Sequence, residues 1–283
     1  TAAPMLLAPA MNQQMWKDLA TPDNLATLAK RGMHFAGPDS GEQACGDVGP
    51  GRMLQPEDLA QQLAGLFQTR ILEGKKVMLT AGPTWEAIDP VRGITNHSSG
   101  KMGYALAEAA AQAGAHVTLV SGPTSLDAPE NVHTIQVRSA AEMHTAVFDG
   151  IAEQDIFIAV AAVADYRPID SSDQKIKKDH DEMTIRMTKN PDILADVAAL
   201  KDPPFCVGFA AETNDVESYA RAKLERKRLD LIVANHVGGS DTGFGSDDNV
   251  ITLITGSSTR ALPRASKSQL AREIVAQISE LSS

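Results

Sequence analysis

Residues 76–103 read KVMLTAGPTWEAIDPVRGITNHSSGKMG and decide the fold. The apolar run 77–81 predicts a buried strand, and residues 98–103 predict the start of a helix after a polar loop. A helix N-terminus presents free backbone N–H groups and the positive end of the helix dipole, and glycines let a ligand approach closely. We therefore interpret this stretch as a phosphate cradle.

Strand and helix patterns alternate from residue 76 onward. This alternation predicts an α/β fold with a doubly wound, mostly parallel, Rossmann-like sheet. The predicted strands are 77–81, 116–121, 134–137, 155–163, 183–187, 205–211, 230–234 and 250–254, and the predicted helices are 100–113, 139–149, 191–200, 214–228 and 267–281.

The first 70 residues follow a different plan. They predict strand 5–8, helix 16–31, a glycine-rich loop at 37–51 and helix 56–67. One strand and two helices cannot bury their apolar faces alone, so we expect residues 1–70 to be the C-terminal part of one domain and 71–283 to be a second domain. Because the chain begins at Thr1 without a Met, we expect a piece of a longer protein.

Composition limits the classes of partner. The net charge of −10 makes nucleic acid or an anionic membrane a poor broad-surface partner, so a phosphate would need a local cationic site. The two cysteines, Cys45 and Cys206, form no CxxC motif and suggest neither a disulfide framework nor a structural zinc site, which fits the cytoplasm. No apolar run reaches the roughly 18 residues of a membrane helix.

The cradle has two readings. Gly100, Lys101 and Gly103 could face phosphate, or they could form an ordinary helix start with a glycine packed on the sheet. Their spacing matches neither GxGxxG nor GxxxxGK[ST]. Just before them, the Asn96 amide could donate to an oxygen that becomes negative during a reaction.

Other candidates follow later in the chain. Asp165 ends a core strand, where α/β proteins place ligand contacts, although it could equally be a surface acid. Lys175 begins a lysine run that would otherwise be a solvated edge. Asn190 is predicted as the N-cap of a helix whose first residue is Pro191.

Three further residues carry open alternatives. Lys223 and Lys227 share one helix face and could be a solvated helix end or a movable cationic lid over a triphosphate. Phe209, at a strand end, could be core or could stack on a base. Cys45 lies in a glycine-rich loop and could be an inert thiol or a proton donor on a mobile flap.

The motifs together resemble a known family. APAMNQQMW, GEQACGDVGPGRM, TAGPTWEAIDPVRGITNHSSGKMG, AAVADYRP with KIKK, KNPDI, GFAAET and DLIVAN are similar to the bacterial bifunctional phosphopantothenoylcysteine decarboxylase/phosphopantothenate-cysteine ligases of coenzyme A biosynthesis. The resemblance covers nearly the whole chain. It implies that residues 1–70 end a flavodoxin-like, flavin-dependent decarboxylase domain and that 71–283 form the ligase domain.

The resemblance also implies ligands and roles. CTP with Mg²⁺, 4'-phosphopantothenate and cysteine would be the ligase reactants, FMN would belong only to the full-length decarboxylase, and the ligase domain would form a homodimer. Asn96 and Lys175 would be catalytic in the ligase and Cys45 in the decarboxylase, where Asn12 would bind substrate. The implied nucleotide contacts are Gly100, Lys101, Gly103, Ala159, Val160, Ala161, Asp165, Lys175, Asn190, Pro191, Asp192, Ile193, Phe209, Lys223 and Lys227.

Some features depart from the family, and other functions stay open. Trp85 stands where the family often has Arg, the region between Lys178 and Met183 is short, and the catalytic His would precede Thr1, so this chain should not decarboxylate. A nicotinamide-dependent oxidoreductase is the alternative enzyme, although GxGxxG is missing. A nucleotide sensor would bind CTP without releasing pyrophosphate.

Overall fold

The computed structural model describes residues 3–43, 46–66, 69–177, 182–212, 216–236 and 246–282. The chain divides into two compact units, Thr1–Gln68 and Thr69–Ser283. Across the described ranges, no helix combines the length and apolar character needed to cross a membrane.

The first unit consists of short elements. They are β1 (Leu6–Leu7), α1 (Gln13–Lys17), α2 (Ala20–Lys30), β2 (His34–Phe35), β3 (Asp39–Glu42), β4 (Val48–Arg52) and α3 (Pro56–Gly65). The predicted helix 16–31 is wrong as one helix, because Asp18 is extended and its carboxylate accepts the Ala20 N–H at 2.9 Å to start α2. The predicted loop 37–51 contains the β3–β4 hairpin. Among the described residues of this unit, Ala36 is the single hydrophobic residue that is fully buried.

The second unit alternates strands and helices, as predicted. Its elements are β5 (Lys76–Ala81), β6 (Trp85–Ala87), β7 (Gly93–Thr95), α4 (Lys101–Gln112), β8 (His116–Ser121), β9 (Val132–Gln136), α5 (Ala140–Phe148), β10 (Ile156–Ala159), β11 (Tyr166–Pro168), β12 (Met187–Lys189), α6 (Ile193–Ala198), β13 (Phe205–Glu212), α7 (Val216–Lys227), β14 (Leu231–His236), β15 (Asp248–Ile254), β16 (Thr259–Ser266) and α8 (Lys267–Leu281).

Eight strands form one sheet in the order β16-β15-β14-β13-β10-β5-β8-β9. The six strands from β14 to β9 are parallel, and β15 and β16 pair antiparallel at one edge. This confirms the predicted mostly parallel sheet. The edge strand β16 was not predicted, since its sequence TRALPRAS has little apolar character, as is usual at a sheet edge.

Helices cover both faces of the sheet. Leu106 of α4 and Ile274 of α8 belong to the core on one face, and Met143 of α5, Val197 of α6 and Leu224 of α7 belong to the core on the other. Strand β10 supplies both cores, because successive side chains of a strand point to opposite faces. The sheet is therefore doubly wound, as predicted.

The predicted strand 155–163 is shorter in the structure, ending at Ala159. The chain then leaves the sheet, and its backbone N–H groups bond to Thr80 near the end of β5 and to Thr84 in the loop that follows β5. Ala161 N–H donates to the Thr80 hydroxyl at 3.3 Å, and Ala164 N–H donates to the Thr84 hydroxyl at 3.0 Å. The apolar run continues past the strand because these residues line a cleft.

Three other predictions fail in detail. Of the predicted strand 183–187, only Met187 belongs to a strand, as the first residue of β12. Strand β12 pairs with β11 outside the main sheet. The predicted loop after β5 holds the β6–β7 hairpin. Asn190 is not the N-cap of α6 and Pro191 is not its first residue, because Asp192 caps the helix by accepting the Ala195 N–H at 3.1 Å.

Candidate active site

A cleft of about 640 Å³ opens at the carboxyl ends of β10 and β13. This is the position at which doubly wound sheets bind ligands, because diverging connections leave a crevice there. Its walls come from the segment after β10, the segment before α6, and α7. The lining residues are Thr80, Ala159, Ala161, Ala162, Val163, Ala164, Asp165, Tyr166, Lys189, Asn190, Pro191, Asp192, Ile193, Leu194, Phe209, Lys223 and Lys227.

One end of the cleft carries Asp165 and Asn190. The Asp165 side chain is exposed, and its backbone carbonyl accepts the Asn190 N–H at 2.9 Å. The Asn190 amide donates to the Ala164 carbonyl at 2.8 Å and accepts from Arg167 Nη1 at 2.9 Å. Asn190 is thus a cross-link between two cleft walls rather than a helix cap, and Arg167, which sequence reasoning missed, fixes its orientation.

Helix α7 contributes two lysines to the cleft. Lys223 Nζ donates to the Phe209 carbonyl at 2.7 Å, and Lys227 Nζ lies 2.6 Å from a carboxylate oxygen of Asp192. The Lys227 side chain is only 15% exposed, so the alternative of a solvated helix end is wrong for Lys227. Burial acts to raise the pKa of Asp192, but the bonds from Lys227 and Ala195 and the charge of Lys223 outweigh it and lower that pKa.

The cradle borders a second, smaller cavity of about 140 Å³. Gly100 has φ 77°, which favours glycine, and is the N-cap of α4. A Cβ at Gly103 would lie 2.5 Å from the Ala81 Cβ, so this glycine allows α4 to pack on β5. The helix start is therefore packed on the sheet, as the ordinary reading has it, and it also lines a cavity. The reading as a phosphate site stays a prediction.

Two lysines, Lys101 and Lys267, line this second cavity. Lys101 Nζ donates to Asp247 at 2.7 Å and lowers the pKa of that carboxyl. Lys267 is only 8% exposed and donates to the Ser246 carbonyl at 2.5 Å. Burial first, and then the charge of Lys101, lower the pKa of Lys267.

The cleft and the second cavity meet at Ala161, Ala162 and Phe209, which line both. Asn96 lies beside this junction, where its exposed amide Nδ2 donates to the Ala162 carbonyl at 2.9 Å. An amide nitrogen has two donor hydrogens, so one remains for a ligand at the junction.

The predicted residues divide clearly by location. Except for Lys175, every predicted nucleotide contact lines one of the two cavities, with Val160, Gly100, Lys101 and Gly103 in the smaller one. Lys175 is exposed and lines neither. Sequence reasoning missed Thr80, Lys189, Asn235, Asn249 and Lys267. Thr80, Lys189 and Asn235 carried a usable signal, since they belong to the motifs TAGPTWEAIDPVRGITNHSSGKMG, KNPDI and DLIVAN, whereas Asn249 and Lys267 belong to none of the motifs.

Trp85 also lies outside both cavities. It belongs to β6, and the Arg138 guanidinium lies 5.6 Å from the centroid of its ring. The departure from the family at this position therefore affects a packing contact at the hairpin and not the lining of the cleft.

The first unit gathers a separate set of polar residues. The Asn12 side chain caps α1 by accepting the Gln14 N–H at 2.8 Å and donates to Asp47 at 3.2 Å. Gln43 accepts the Gln13 N–H at 3.0 Å and donates to the Pro50 carbonyl at 3.1 Å, which ties the PAMN turn to the β3–β4 hairpin. Cys45 lies outside the described residues, between Gln43 and Asp47.

These features define an α/β protein with a doubly wound sheet and a cleft at the carboxyl ends of its central strands, where proteins of this fold bind ligands. The family described as DNA/pantothenate metabolism flavoprotein C-terminal domain matches residues 72–281, and the family described as flavoprotein matches residues 1–68.

Relatives and a solved structure extend these matches. The coenzyme A biosynthesis bifunctional protein CoaBC of Vibrio vulnificus is 59% identical over 284 residues, covering 99% of this chain and 71% of that protein. The Escherichia coli protein of the same name is 52% identical, covering 98% and 70%. The crystal structure of a CoaBC C-terminal domain is 43% identical with a TM-score of 0.65, covering 75% of this chain and 97% of that one. The chain belongs to the CoaBC family of bifunctional coenzyme A biosynthesis proteins, which confirms the resemblance in its motifs.

Proposed function

We propose that residues 71–283 form a ligase domain that joins 4'-phosphopantothenate to cysteine at the expense of CTP. The observation that carries this proposal is the meeting of the cleft and the cradle at Ala161, Ala162 and Phe209. The cleft would take the base and sugar, and the smaller cavity, which borders the start of α4, would take the phosphates. The reacting α-phosphorus would then lie where the two cavities meet. Family membership favours this function over the nicotinamide-dependent oxidoreductase.

The base end of the site would recognise cytidine. The exposed Asp165 carboxylate can accept a hydrogen bond from an exocyclic amino group, which is how carboxylates recognise cytosine. Phe209 lines both cavities and would stack on the base or close the junction. Ala159, Val160 and Ala161, together with residues 190–193, would form the walls around the nucleoside.

The triphosphate would be held by charge. The chain is acidic overall, so a triphosphate needs a local positive site, and Lys223 and Lys227 in the cleft would provide it. Lys223 and Lys227 would exchange their present partners, the Phe209 carbonyl and Asp192, for phosphate oxygens. Mg²⁺ that neutralises the phosphates would enter with CTP and keep several water ligands, as is usual for this ion.

Ligation would take place in two displacements. A carboxylate oxygen of 4'-phosphopantothenate attacks the α-phosphorus, and pyrophosphate leaves with the electrons of the broken bond. The cysteine amine then attacks the acyl carbon of the acyl-cytidylate, loses a proton, and CMP leaves. The Asn96 amide, which is oriented by its hydrogen bond to the Ala162 carbonyl, would donate a second hydrogen bond to the oxyanion that develops at this carbon. Lys175 would contact the cytidine and support the first displacement.

The first unit would serve the decarboxylase of the full-length protein. We propose that residues 1–70 end that domain, that Asn12 binds its substrate and that Cys45 donates the proton that completes decarboxylation. The polar contacts that join the Asn12 turn to the hairpin flanking Cys45 support this assignment. FMN, proposed from the flavoprotein match, would supply the redox chemistry together with residues outside this chain. A homodimer and a cytoplasmic location are further proposals from the resemblance.

A coupled assay tests the ligation. Pyrophosphate release should require CTP, 4'-phosphopantothenate and cysteine together for sustained turnover, and a tenfold excess of ATP over CTP should slow it little. NADH or NADPH absorbance, followed in parallel, should stay constant. Binding of CTP with no pyrophosphate under any combination would instead identify a nucleotide sensor, and the ligase proposal would be wrong.

A further inference from the structure

Asp89 is a buried carboxylate that the proposed ligation does not use. It lies in the bend between β6 and β7, and its side chain is fully buried, with 0% exposure. Buried charges are rare unless they are paired and hydrogen-bonded, since leaving water is costly. The partners of Asp89 therefore indicate what this charge does.

Both carboxylate oxygens are occupied. Oδ1 accepts the N–H groups of Val91 at 2.9 Å and Arg92 at 2.8 Å, which closes the bend. Oδ2 accepts from the Arg92 guanidinium, with Nε at 2.9 Å, and from the Ile176 N–H at 3.1 Å. The bond from Arg92, which is the main cause, keeps the pKa of Asp89 well below its usual range, so the group is charged at neutral pH.

Ile176 is held from both sides. Arg92 Nη2 donates to the Ile176 carbonyl at 2.8 Å, while the Ile176 N–H donates to Asp89. Ser172 N–H adds a bond to the Ile88 carbonyl at 3.0 Å. Segment 172–177 contains no helix or strand, so these bonds from the 88–92 bend fix its path. Lys175 immediately precedes Ile176.

We propose that Asp89 is a positioning residue, which together with Arg92 clasps Ile176 and thereby sets where Lys175 lies. Lys175 lines neither cavity, so its reach to a nucleotide depends on the path of its backbone. A lysine on an untethered loop would visit many positions, and a displacement of about 1 Å is enough to cost a reaction up to 10²-fold. The activity part of this inference rests on the proposed function; the clasp itself does not.

Asp89→Asn tests the clasp. The amide oxygen can replace Oδ1 and keep the bend, but the NH₂ group then faces the donors of Arg92 and Ile176 and repels them. Asp170→Asn is the matched control, because Asp170 lies two residues before segment 172–177 in sequence and makes a surface ion pair with Arg186 in which both side chains are more than 70% exposed.

Limited trypsinolysis of the whole chain gives a readout without turnover. The peptide bond between Lys175 and Ile176 should be cut at least tenfold faster in Asp89→Asn than in wild type or Asp170→Asn, while sites away from the 88–92 bend and segment 172–177 keep their rates. In wild type, the Ile176 amide should exchange its hydrogen at least tenfold more slowly than that of Lys177. Because the exchange is measured on the wild-type chain, it tests the clasp even if Asp89→Asn does not fold. Unchanged cleavage in a folded variant, or unprotected exchange at Ile176, would overturn the clasp.

The kinetic arm tests the link to Lys175. Asp89→Asn should raise the KM for CTP at least tenfold while the KM for cysteine stays within twofold, a split that general destabilisation would not produce. Faster cleavage with an unchanged KM for CTP would overturn the positioning role and leave the ligase proposal intact. A wild-type chain that releases no pyrophosphate would refute the proposed function, and the clasp would then be decided by cleavage and exchange.

Discussion

Replacing Gly103 by Ala tests whether the cradle depends on close packing of α4 against β5. A Cβ at Gly103 would lie 2.5 Å from the Ala81 Cβ and 3.2 Å from its Cα. Unstrained carbon atoms approach to about 3.5–4.0 Å, so the start of α4 must move by roughly 1 Å. Ala81 cannot yield, because it is fully buried in β5.

Two opposing effects set the size of the result. Overpacking in a core costs about 1–3 kcal/mol, and replacing Gly in a helix returns at most about 1 kcal/mol. We expect the free energy of unfolding to fall by about 1–2 kcal/mol. The shifted helix start should also slow ligation by about 10²-fold, since reacting groups are then misplaced by roughly 1 Å.

Gly256→Ala is the matched control. This glycine is exposed between β15 and β16, and an added Cβ meets nothing within 4 Å. Its free energy of unfolding should stay within about 0.5 kcal/mol of wild type. Urea unfolding and pyrophosphate release are measured on all three proteins. If Gly103→Ala matches the control in both, the close-packing argument is refuted.

Three further predictions concern single side chains. Asn96→Ala should slow ligation by about 10²–10³-fold at nearly unchanged stability, and intact cysteine-dependent turnover would exclude its role. Lys227→Met should raise the KM for CTP about 10–100-fold, because a charged hydrogen bond to the nucleotide is lost. An unchanged KM would mean that Lys227 pairs with Asp192 and does not bind CTP. Burial raises the pKa of Cys206 to about 12, with Asp230 adding to the effect. The thiol therefore ionises first in the unfolded chain, and stability should fall between about pH 8.5 and pH 12 in wild type and fall less in Cys206→Ala; identical slopes in urea unfolding would contradict this.

Local patterns were sufficient to predict the sheet. Strand β5 is apolar at four of its five buried positions, with Thr80 as the polar one, and a helix start follows it at residues 98–103. The alternation of strands and helices from residue 76 onward then predicted the doubly wound sheet. Asp165 was predicted at the cleft because a polar residue after a buried strand stands at the ligand-binding edge of such a sheet. Both features depend on neighbours in sequence.

The failures involve partners that are distant in sequence. Strand β10 pairs with β5 and β13 over only four residues and ends at Ala159. The apolar run continues to Val163, so the sequence did not indicate where the strand ends. Asp192, and not Asn190, is the N-cap of α6, because the Asn190 amide forms hydrogen bonds with the Ala164 carbonyl and with Arg167. Nothing local indicates the Asp89 to Ile176 bond, which spans 87 positions.

The most direct test of the ligase account is a single turnover with CTP labelled at the α-phosphorus. With 4'-phosphopantothenate and without cysteine, the chain should release pyrophosphate in one burst and retain an acyl-cytidylate. Adding cysteine should convert that label to CMP while an amide product forms. Label that remains in CTP until cysteine is added, or CMP that forms without an acyl-cytidylate, would contradict activation of the carboxylate by the nucleotide.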